Sequence, residues 1–149
     1  MPEPLIHVQA DKPCPHCGRY SNRAVAVDAV IVRDGKVLLV KRNNDPYKGY
    51  WAIPGGHLEL NEEATERVKK EVMEETGLIA TSVELINAYT RPTRDPQQKI
   101  SIAYAIEVQG EPQPGSDASE VQWYNLNALP DLAFDHHTIL VDYMKKKSA

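Results

Sequence analysis

The fold is decided by residues 55–78, GGHLELNEEATERVKKEVMEETGL, which combine a glycine turn with a helical pattern. The helical pattern is an apolar stripe at four-residue spacing, made of Ala64, Val68 and Val72. Asn61 suits the N-cap of this helix, and Gly77 suits the left-handed position that ends it. We therefore expect a glycine turn followed by one amphipathic helix that ends at Gly77.

Three glutamates crowd the last turn of this helix: Glu71, Glu74 and Glu75. The helix dipole disfavours negative charge there by roughly 0.3–1 kcal/mol each, and two carboxylates about 6 Å apart repel by roughly 3 kcal/mol at an effective dielectric of 20. Ion pairs of these glutamates with Arg67 and Lys70 stabilise the helix by only about 0.2–0.5 kcal/mol each. Spacings of three and four place the glutamates on one face, where they can bind Mg²⁺ or Mn²⁺. A solvated charged face is the alternative interpretation.

The same stretch resembles the signature of the Nudix hydrolases, Gly-x5-Glu-x7-Arg-Glu-U-x-Glu-Glu-x-Gly-U, where U is a bulky aliphatic residue. The positions in register are Gly56, Glu62, Glu71, Val72, Glu74, Glu75, Gly77 and Leu78. Lys70 replaces the signature arginine, which in the family braces a catalytic glutamate. Because lysine lacks the fork geometry of arginine, we expect weakened positioning rather than lost metal binding.

The resemblance implies an α/β/α sandwich, with a mixed sheet, the signature loop and helix on one side, and a C-terminal helix. It implies a Nudix hydrolase domain over residues 23–149, preceded by an irregular segment over residues 1–22. It also implies that the metal ligands are the three glutamates and the carbonyl of Gly55. Family members differ in the position of the general base, so Glu74, Glu75 and Glu120 all remain candidates.

Composition and charge narrow the class of protein. The chain has 149 residues, 42% of them hydrophobic, which suits a single domain with a real core. A net charge of −4 argues against non-specific binding to nucleic acid or a membrane surface. No membrane-length apolar run and no signal peptide are visible in the sequence, so we expect a cytoplasmic protein.

The N-terminal segment carries the motif Cys14-Pro15-His16-Cys17-Gly18. It could be half of a zinc site, a redox pair or a turn with two free thiols. Zinc needs four ligands, and no second cysteine pair exists, so His7, another histidine or a second subunit would have to complete the site. A second subunit would make the protein a homodimer. Prolines at 13 and 15 disfavour the redox interpretation.

Five strands are predicted from β-branched or alternating apolar residues. They are residues 23–32, 36–42, 81–90, 100–108 and 121–124. The first is apolar almost throughout, as expected for a strand covered on both faces. Asp34-Gly35 predicts a tight hairpin between the first two strands.

The loops offer cations that suit a diphosphate. Arg42 ends the second strand, and Arg91, Arg94 and Lys99 lie in the charged loop 91–99. Arginine is well suited to bidentate contacts with phosphate. Solvated loop ends are the alternative. The Arg-Asp-Pro run in this loop resembles the corresponding loop of Nudix ADP-ribose pyrophosphatases.

The C-terminal region predicts a helix through Lys147 with Asp135 at its N-cap and Ile139 and Leu140 on its buried face. Phe134 is either a core residue or a base-stacking surface. His136 and His137 read as first-turn surface residues, and Trp51 as a packing anchor beside the signature helix.

Taken together, these features predict metal-dependent hydrolysis of a nucleoside diphosphate linked to a second moiety. The first substrate is ADP-ribose or a related ADP-sugar, which would give AMP and a sugar phosphate. Dinucleotides such as NADH come next. The alternative from another class is a non-catalytic protein that uses the fold to sense nucleotides.

Overall fold

The protein is a mixed β-sheet covered by one helix on each face. The computed structural model describes residues 12–20, 22–113 and 118–148. The elements in chain order are β1 (Val25–Arg33), β2 (Lys36–Arg42), β3 (Trp51–Ala52), β4 (Gly55–His57), α1 (Ala64–Thr76), β5 (Ile79–Tyr89), a 3₁₀ turn (Pro92–Arg94), β6 (Ile100–Gln109), β7 (Ala118–Asn125) and α2 (His136–Ser148). All five predicted strands and both predicted helices are present, whereas the short strands β3 and β4 were not expected.

The sheet is built around β1. Its order is β3-β2-β1-β6-β5, with β4 paired to β1 and β7 paired to β2. Strands β1 and β6 run parallel, and the other pairs run antiparallel. The Asp34-Gly35 turn has positive φ at both residues (53° and 75°), which matches the predicted tight hairpin.

Strands β1 and β2 are paired only next to their hairpin. Their register covers Val32 with Val37 and Arg33 with Lys36. Further from the turn, β1 pairs with β4 and β2 pairs with β3 and β7. The two strands therefore separate, and the wedge between them is where the cavity described below opens.

The two faces of β1 belong to different cores. Val27, Ala29 and Ile31 are fully buried in a cluster with Val68 and Val72 of α1. Val30 lies in a second cluster with Ile139 and Leu140 of α2. A strand covered on both faces must be apolar on both, which explains its sequence. The predicted α/β/α sandwich is confirmed.

Helix α1 ends as predicted but begins differently. Gly77 has φ of 74° and donates its backbone N–H to the carbonyl of Met73 at 2.9 Å. The N-cap is Glu63, without a side-chain cap, and Asn61 is wrong as the cap because it adopts a left-handed turn conformation (φ 64°) two residues earlier. Asparagine tolerates this conformation, so it serves the loop rather than the helix.

Both helices have 13 residues, and neither they nor any other helix in the described ranges is long and apolar enough to cross a membrane.

Candidate functional site

A polar cavity of about 360 Å³ opens in the wedge between β1 and β2. Its walls come from both strands, the Gly55-Gly56 turn, the end of α1, the loop before β6 and the start of α2. The residues from loops and strand ends thus meet at one place, although they are far apart in the sequence. A second cavity, between β5 and α2, is much smaller at about 50 Å³.

Glu75 forms the wall of the cavity nearest the glycine turn. Its Oε2 accepts the backbone N–H of Gly55 at 3.3 Å. A Cβ on Gly55 would lie 2.2 Å from Asp28 Oδ1 and 2.4 Å from the carbonyl oxygen of Val27. Only glycine therefore fits at this position, and it lets β4 lie directly against β1.

Glu71 lies beneath the second glycine of the turn. A Cβ on Gly56 would be 2.3 Å from the carboxylate of Glu71. The Glu71 side chain is buried, and its Oε1 accepts a hydrogen bond from Arg67 Nη1 at 2.9 Å. The turn and the helix are consequently locked together through one carboxylate.

Arg67 braces this arrangement from one helical turn away. Its Nε and Nη2 donate to the two carboxylate oxygens of Glu62 at 2.7 and 2.9 Å, while Nη1 holds Glu71. The hydrogen bonds from Arg67 lower the pKa of Glu62 to about 2, and the two glutamates raise the pKa of Arg67. Lys70 is exposed and lies 3.5 Å from Glu62. The guanidinium that the signature places at residue 70 is therefore supplied by Arg67, which holds Glu62 and Glu71.

The three glutamates of the helix end are not equivalent in the structure. Glu75 lines the cavity, Glu71 is buried under Gly56, and Glu74 is exposed. Within residues 12–20, 22–113 and 118–148, no group of three or more His, Cys, Asp or Glu side chains is already arranged to hold a metal ion. The helix positions the trio on one side, but their carboxylates do not converge on one point.

Cationic side chains also line the cavity. Lys41 and Arg42 from the end of β2 and Lys99 from the loop before β6 line the cavity. Arg42 Nε donates to the carbonyl of Pro46 at 2.8 Å, which fixes the side chain along the cavity wall. Arg91, by contrast, is exposed and is not among the residues that line the cavity.

Arg94 lines the cavity but is held by the protein. Its side chain is 4% exposed, and its Nε and Nη2 donate to Asp135 Oδ1 at 2.9 and 2.7 Å. Its Nη1 donates to the carbonyl of Lys99 at 2.9 Å. Asp135 directly precedes α2 as predicted, but its carboxylate binds Arg94. This ion pair connects the loop 91–99 to the start of the C-terminal helix.

Phe134 lies at the edge of the cavity within a cluster of rings and cations. The guanidinium of Arg42 sits 4.9 Å from its ring centre, and that of Arg94 sits 5.9 Å away. Tyr47 packs edge-on against it at 4.9 Å. Cations over an aromatic ring are attracted to its negative face. Phe134 therefore orients the arginines of the cavity wall.

Glu120 stands at the rim rather than in the cavity. It is exposed on β7, and its Oε1 lies 3.7 Å from Nζ of Lys41, which does line the cavity. Asp117, the other acidic residue of this region, lies outside the described residues.

A buried polar network that was not predicted from the sequence lies at the floor of the cavity. Ser101 Oγ donates to Asp28 Oδ2, and the Ile53 backbone N–H donates to His136 Nδ1 at 3.0 Å. Burial raises the pKa of Asp28 to about 6 and lowers the pKa of His136 to about 3. His136 is 3% exposed, so the expectation of a surface histidine is wrong: the start of α2 packs onto β1 instead of facing solvent. The signal was an aspartate in an otherwise apolar strand.

Trp51 is a packing residue, but not beside α1. Its ring packs edge-on against Tyr124 at 5.0 Å in the cluster on the α2 side of the sheet. Strand β3 carries Trp51 to the far end of the sheet order, away from the signature helix.

The cysteine motif forms a turn without a completed metal site. The backbone N–H of Gly18 donates to the carbonyl of Cys14 at 2.9 Å, and the backbone N–H of His16 points to Cys14 Sγ at 3.4 Å. Hydrogen bonds from the backbone of His16 and from Cys17 lower the pKa of the Cys14 thiol. In the part of the chain that the structure describes, no further ligands join Cys14 and Cys17. His7 lies outside that part.

Carboxylates and cations that line one cavity are what is expected of an enzyme that cleaves phosphate anhydrides. A family model described as the NUDIX domain matches residues 22–143. The chain belongs to the Nudix hydrolase family.

Individual relatives agree with this assignment. An ADP-ribose pyrophosphatase from Methanocaldococcus jannaschii is 47% identical over 131 residues, which cover 87% of this chain and 78% of the relative. The ADPR responsive transcriptional repressor NtrR from Acinetobacter baylyi is 31% identical over 81% of this chain, which spans about half of that protein (53%). The crystal structure of the NUDIX domain of Shewanella oneidensis NrtR complexed with ADP ribose superposes with a TM-score of 0.75 at 26% identity, over 85% of this chain and 90% of that one.

Proposed function

We propose that this protein hydrolyses ADP-ribose or a related ADP-sugar to AMP and a sugar phosphate, in a reaction that requires Mg²⁺ or Mn²⁺. The observation that carries the proposal is the cavity that Glu75 lines together with Lys41 and Arg42. The similarity to the ADP-ribose pyrophosphatase of M. jannaschii supports the choice of substrate.

The residues at the glycine turn fit a divalent metal ion. All the proposed ligands offer oxygen: the carboxylates of Glu71, Glu74 and Glu75 and the carbonyl of Gly55, as hard cations prefer. The absence of a Cβ at Gly56 lets the Glu71 carboxylate lie against the turn, and Glu75 Oε2 accepts the backbone N–H of Gly55 at 3.3 Å. A bound ion would neutralise the diphosphate and lower the pKa of a bound water.

The chain's own groups would orient the substrate and accept a proton. Lys41, Arg42 and Lys99 would hold the diphosphate against the cationic wall. A carboxylate would take a proton from water as the water oxygen bonds to phosphorus and the bond from that phosphorus to the bridging oxygen breaks. Among Glu74, Glu75 and Glu120, we favour Glu75 as the base because it alone lines the cavity.

Two other functions remain as alternatives. A dinucleotide such as NADH presents the same diphosphate to the cavity and ranks second as a substrate. A nucleotide sensor is favoured by the similarity to NtrR. The glutamates argue for catalysis, because a sensor has no need of three carboxylates at one helix end, one of them held by Arg67.

One experiment separates these functions. The protein is incubated with ADP-ribose, NADH and nucleoside triphosphates in the presence of Mg²⁺, and the products are identified. Release of AMP with the fastest turnover on ADP-ribose supports the proposal. Binding of ADP-ribose without turnover of any compound would favour the sensor instead.

The proposal includes a homodimer in the cytoplasm. Strand β5 lies at the end of the sheet order and exposes Ile79 and Leu85, at 55% and 53% of their surface. Apolar side chains on an edge strand favour pairing with another chain. Light scattering would give the mass of a dimer, and the mass of a single chain at all concentrations would rule it out.

A further inference from the structure

Two polar side chains at the floor of the cavity have no part in the proposed chemistry. Asp28 projects from the middle of β1, and His136 is the first residue of α2. Both line the cavity and both are more than nine-tenths buried, with 6% and 3% of their surface exposed. Charged and titratable side chains are seldom this buried unless they have partners.

Each of the two side chains is held on the side that faces the protein. Ser101 Oγ donates to Asp28 Oδ2, and the Ile53 backbone N–H donates to His136 Nδ1 at 3.0 Å. Because Nδ1 accepts a hydrogen bond, the proton of the neutral imidazole lies on Nε2. The remaining atoms are thus an acceptor, Asp28 Oδ1, and a donor, His136 Nε2.

These two remaining atoms do not satisfy each other. They lie 3.9 Å apart, which is too far for a hydrogen bond. Among the described residues, the structure shows no hydrogen bond to either atom. Both atoms can therefore still form hydrogen bonds with a group in the cavity, and a group that pairs with both would be bound selectively.

The pair restricts the chemistry of that group. A phosphate would be repelled by the carboxylate of Asp28, and an ammonium group would find no acceptor on His136 Nε2. The group that fits is uncharged and carries a donor next to an acceptor. In a nucleoside diphosphate sugar, such groups are the amidine edge of adenine and the ribose hydroxyls.

We propose that Asp28 Oδ1 and His136 Nε2 form a specificity subsite that recognises an uncharged donor–acceptor group of the substrate, namely the adenine edge or a ribose hydroxyl. This inference rests on the proposed function for the identity of the ligand. It adds a determinant of selectivity on the floor of the cavity, separate from the cations that face the diphosphate.

The test measures binding rather than turnover, so that it does not depend on catalysis. Dissociation constants are measured by calorimetry in EDTA for ADP-ribose and for three ligands that each lack one group. The inosine counterpart replaces the adenine amino group by a carbonyl, the 2′-deoxyadenosine counterpart lacks one hydroxyl, and ADP lacks the terminal ribose. Parent protein that binds ADP-ribose but does not hydrolyse it would contradict the proposed function and leave this test intact.

Asp28→Asn is the informative variant. Its amide keeps the size of the carboxyl group and can still accept from Ser101, which turns its NH₂ toward the cavity. The subsite then offers two donors. If the subsite binds adenine, the ratio of the dissociation constant of the inosine counterpart to that of ADP-ribose should fall by about tenfold to a hundredfold. A similar fall in preference over the deoxy ligand or ADP would assign a hydroxyl.

His136→Asn provides an independent second variant. An asparagine Oδ1 can replace Nδ1 as the acceptor for the Ile53 N–H, but nothing replaces the Nε2 donor. The same preference should weaken by about tenfold in this variant. Asp142→Asn is the matched control, because Asp142 accepts a hydrogen bond from Tyr89 Oη at 2.8 Å and does not line the cavity.

The result that overturns the proposal is equally specific. If Asp28→Asn and His136→Asn weaken the binding of all four ligands by the same factor, or leave all four dissociation constants unchanged, neither residue recognises a specific group of the substrate. A purely structural role of the two residues would give that outcome. Folded protein is confirmed for each variant by its thermal unfolding before binding is measured.

Discussion

Arg67 Nη1 donates a hydrogen bond to Glu71 Oε1 at 2.9 Å, and both side chains are shielded from solvent, at 15% and 12% exposure. The same guanidinium holds both oxygens of Glu62. Residue 67 thus performs the bracing that the signature pattern assigns to residue 70, where this chain has lysine. The substitution at residue 70 does not leave Glu71 without an arginine partner.

The first prediction concerns this brace. Arg67→Lys should lower kcat for ADP-ribose by about tenfold to a hundredfold, because a lysine cannot hold both glutamates and a charge-assisted hydrogen bond contributes about 1.5–3 kcal/mol. Lys70→Arg is the control and should change kcat by less than about threefold. A large increase in kcat for Lys70→Arg, with no decrease for Arg67→Lys, would show that residue 70 and not residue 67 positions Glu71.

The second prediction concerns the contact between Gly56 and Glu71. Gly56→Ala places a Cβ 2.3 Å from the Glu71 carboxylate, so it should lower the free energy of unfolding by about 1–3 kcal/mol and reduce turnover. Gly35→Asn is the matched control, since no atom lies within 4 Å of a Cβ there and asparagine tolerates its left-handed turn. Urea unfolding checks both variants, and equal stability of the two would contradict the predicted clash.

The third prediction separates the two arginines of the loop 91–99. Arg94→Met should cost about 3 kcal/mol of unfolding free energy, because it removes the buried partner of Asp135. Arg91→Met should change stability by no more than about 0.5 kcal/mol, because Arg91 is exposed. Chemical denaturation of both variants provides the comparison. Equal losses of unfolding free energy in the two variants would show that the buried ion pair of Arg94 does not stabilise the fold.

The fourth prediction concerns pH. The unfolded chain protonates His136 below its ordinary pKa of 6.5, whereas the folded protein does so only near a pKa of about 3. The unfolded state therefore binds more protons in this window, and stability from this group is lost as pH falls from about 6.5 toward 3. His136→Asn should flatten that loss between pH 7 and 5 in urea unfolding without metal. An unchanged slope would mean that the histidine is not buried in its neutral form.

The elements of the fold could be predicted because their signals are local. The alternation in residues 81–90 and the apolar residues 23–32 specify strands through the side chains themselves. Strands β3 and β4 could not be predicted, because two or three residues are too few to show an alternating hydrophobic pattern. They are defined by their pairing, β3 with β2 and β4 with β1.

The site was predictable in part for the same reason. Glu71, Glu75 and Gly55 follow from one contiguous stretch, and their grouping depends on a single helix and turn. The placement of Asp28 beside His136 brings together residues 108 positions apart, and no local pattern encodes it. Arg67 was visible as a helix ion pair with Glu71, but its second contact, with Glu62, depends on how the loop folds back onto the helix.

The most direct test of the account is turnover of ADP-ribose with Mg²⁺ by the parent protein and by Glu75→Gln. We expect AMP and ribose 5-phosphate from the parent, and a loss of at least about a hundredfold in kcat for the variant at unchanged thermal stability. Glu84→Gln, an exposed glutamate on β5 away from the main cavity, should behave like the parent. A parent that binds ADP-ribose without cleaving it, or a Glu75→Gln variant as fast as the parent, would contradict the central claim.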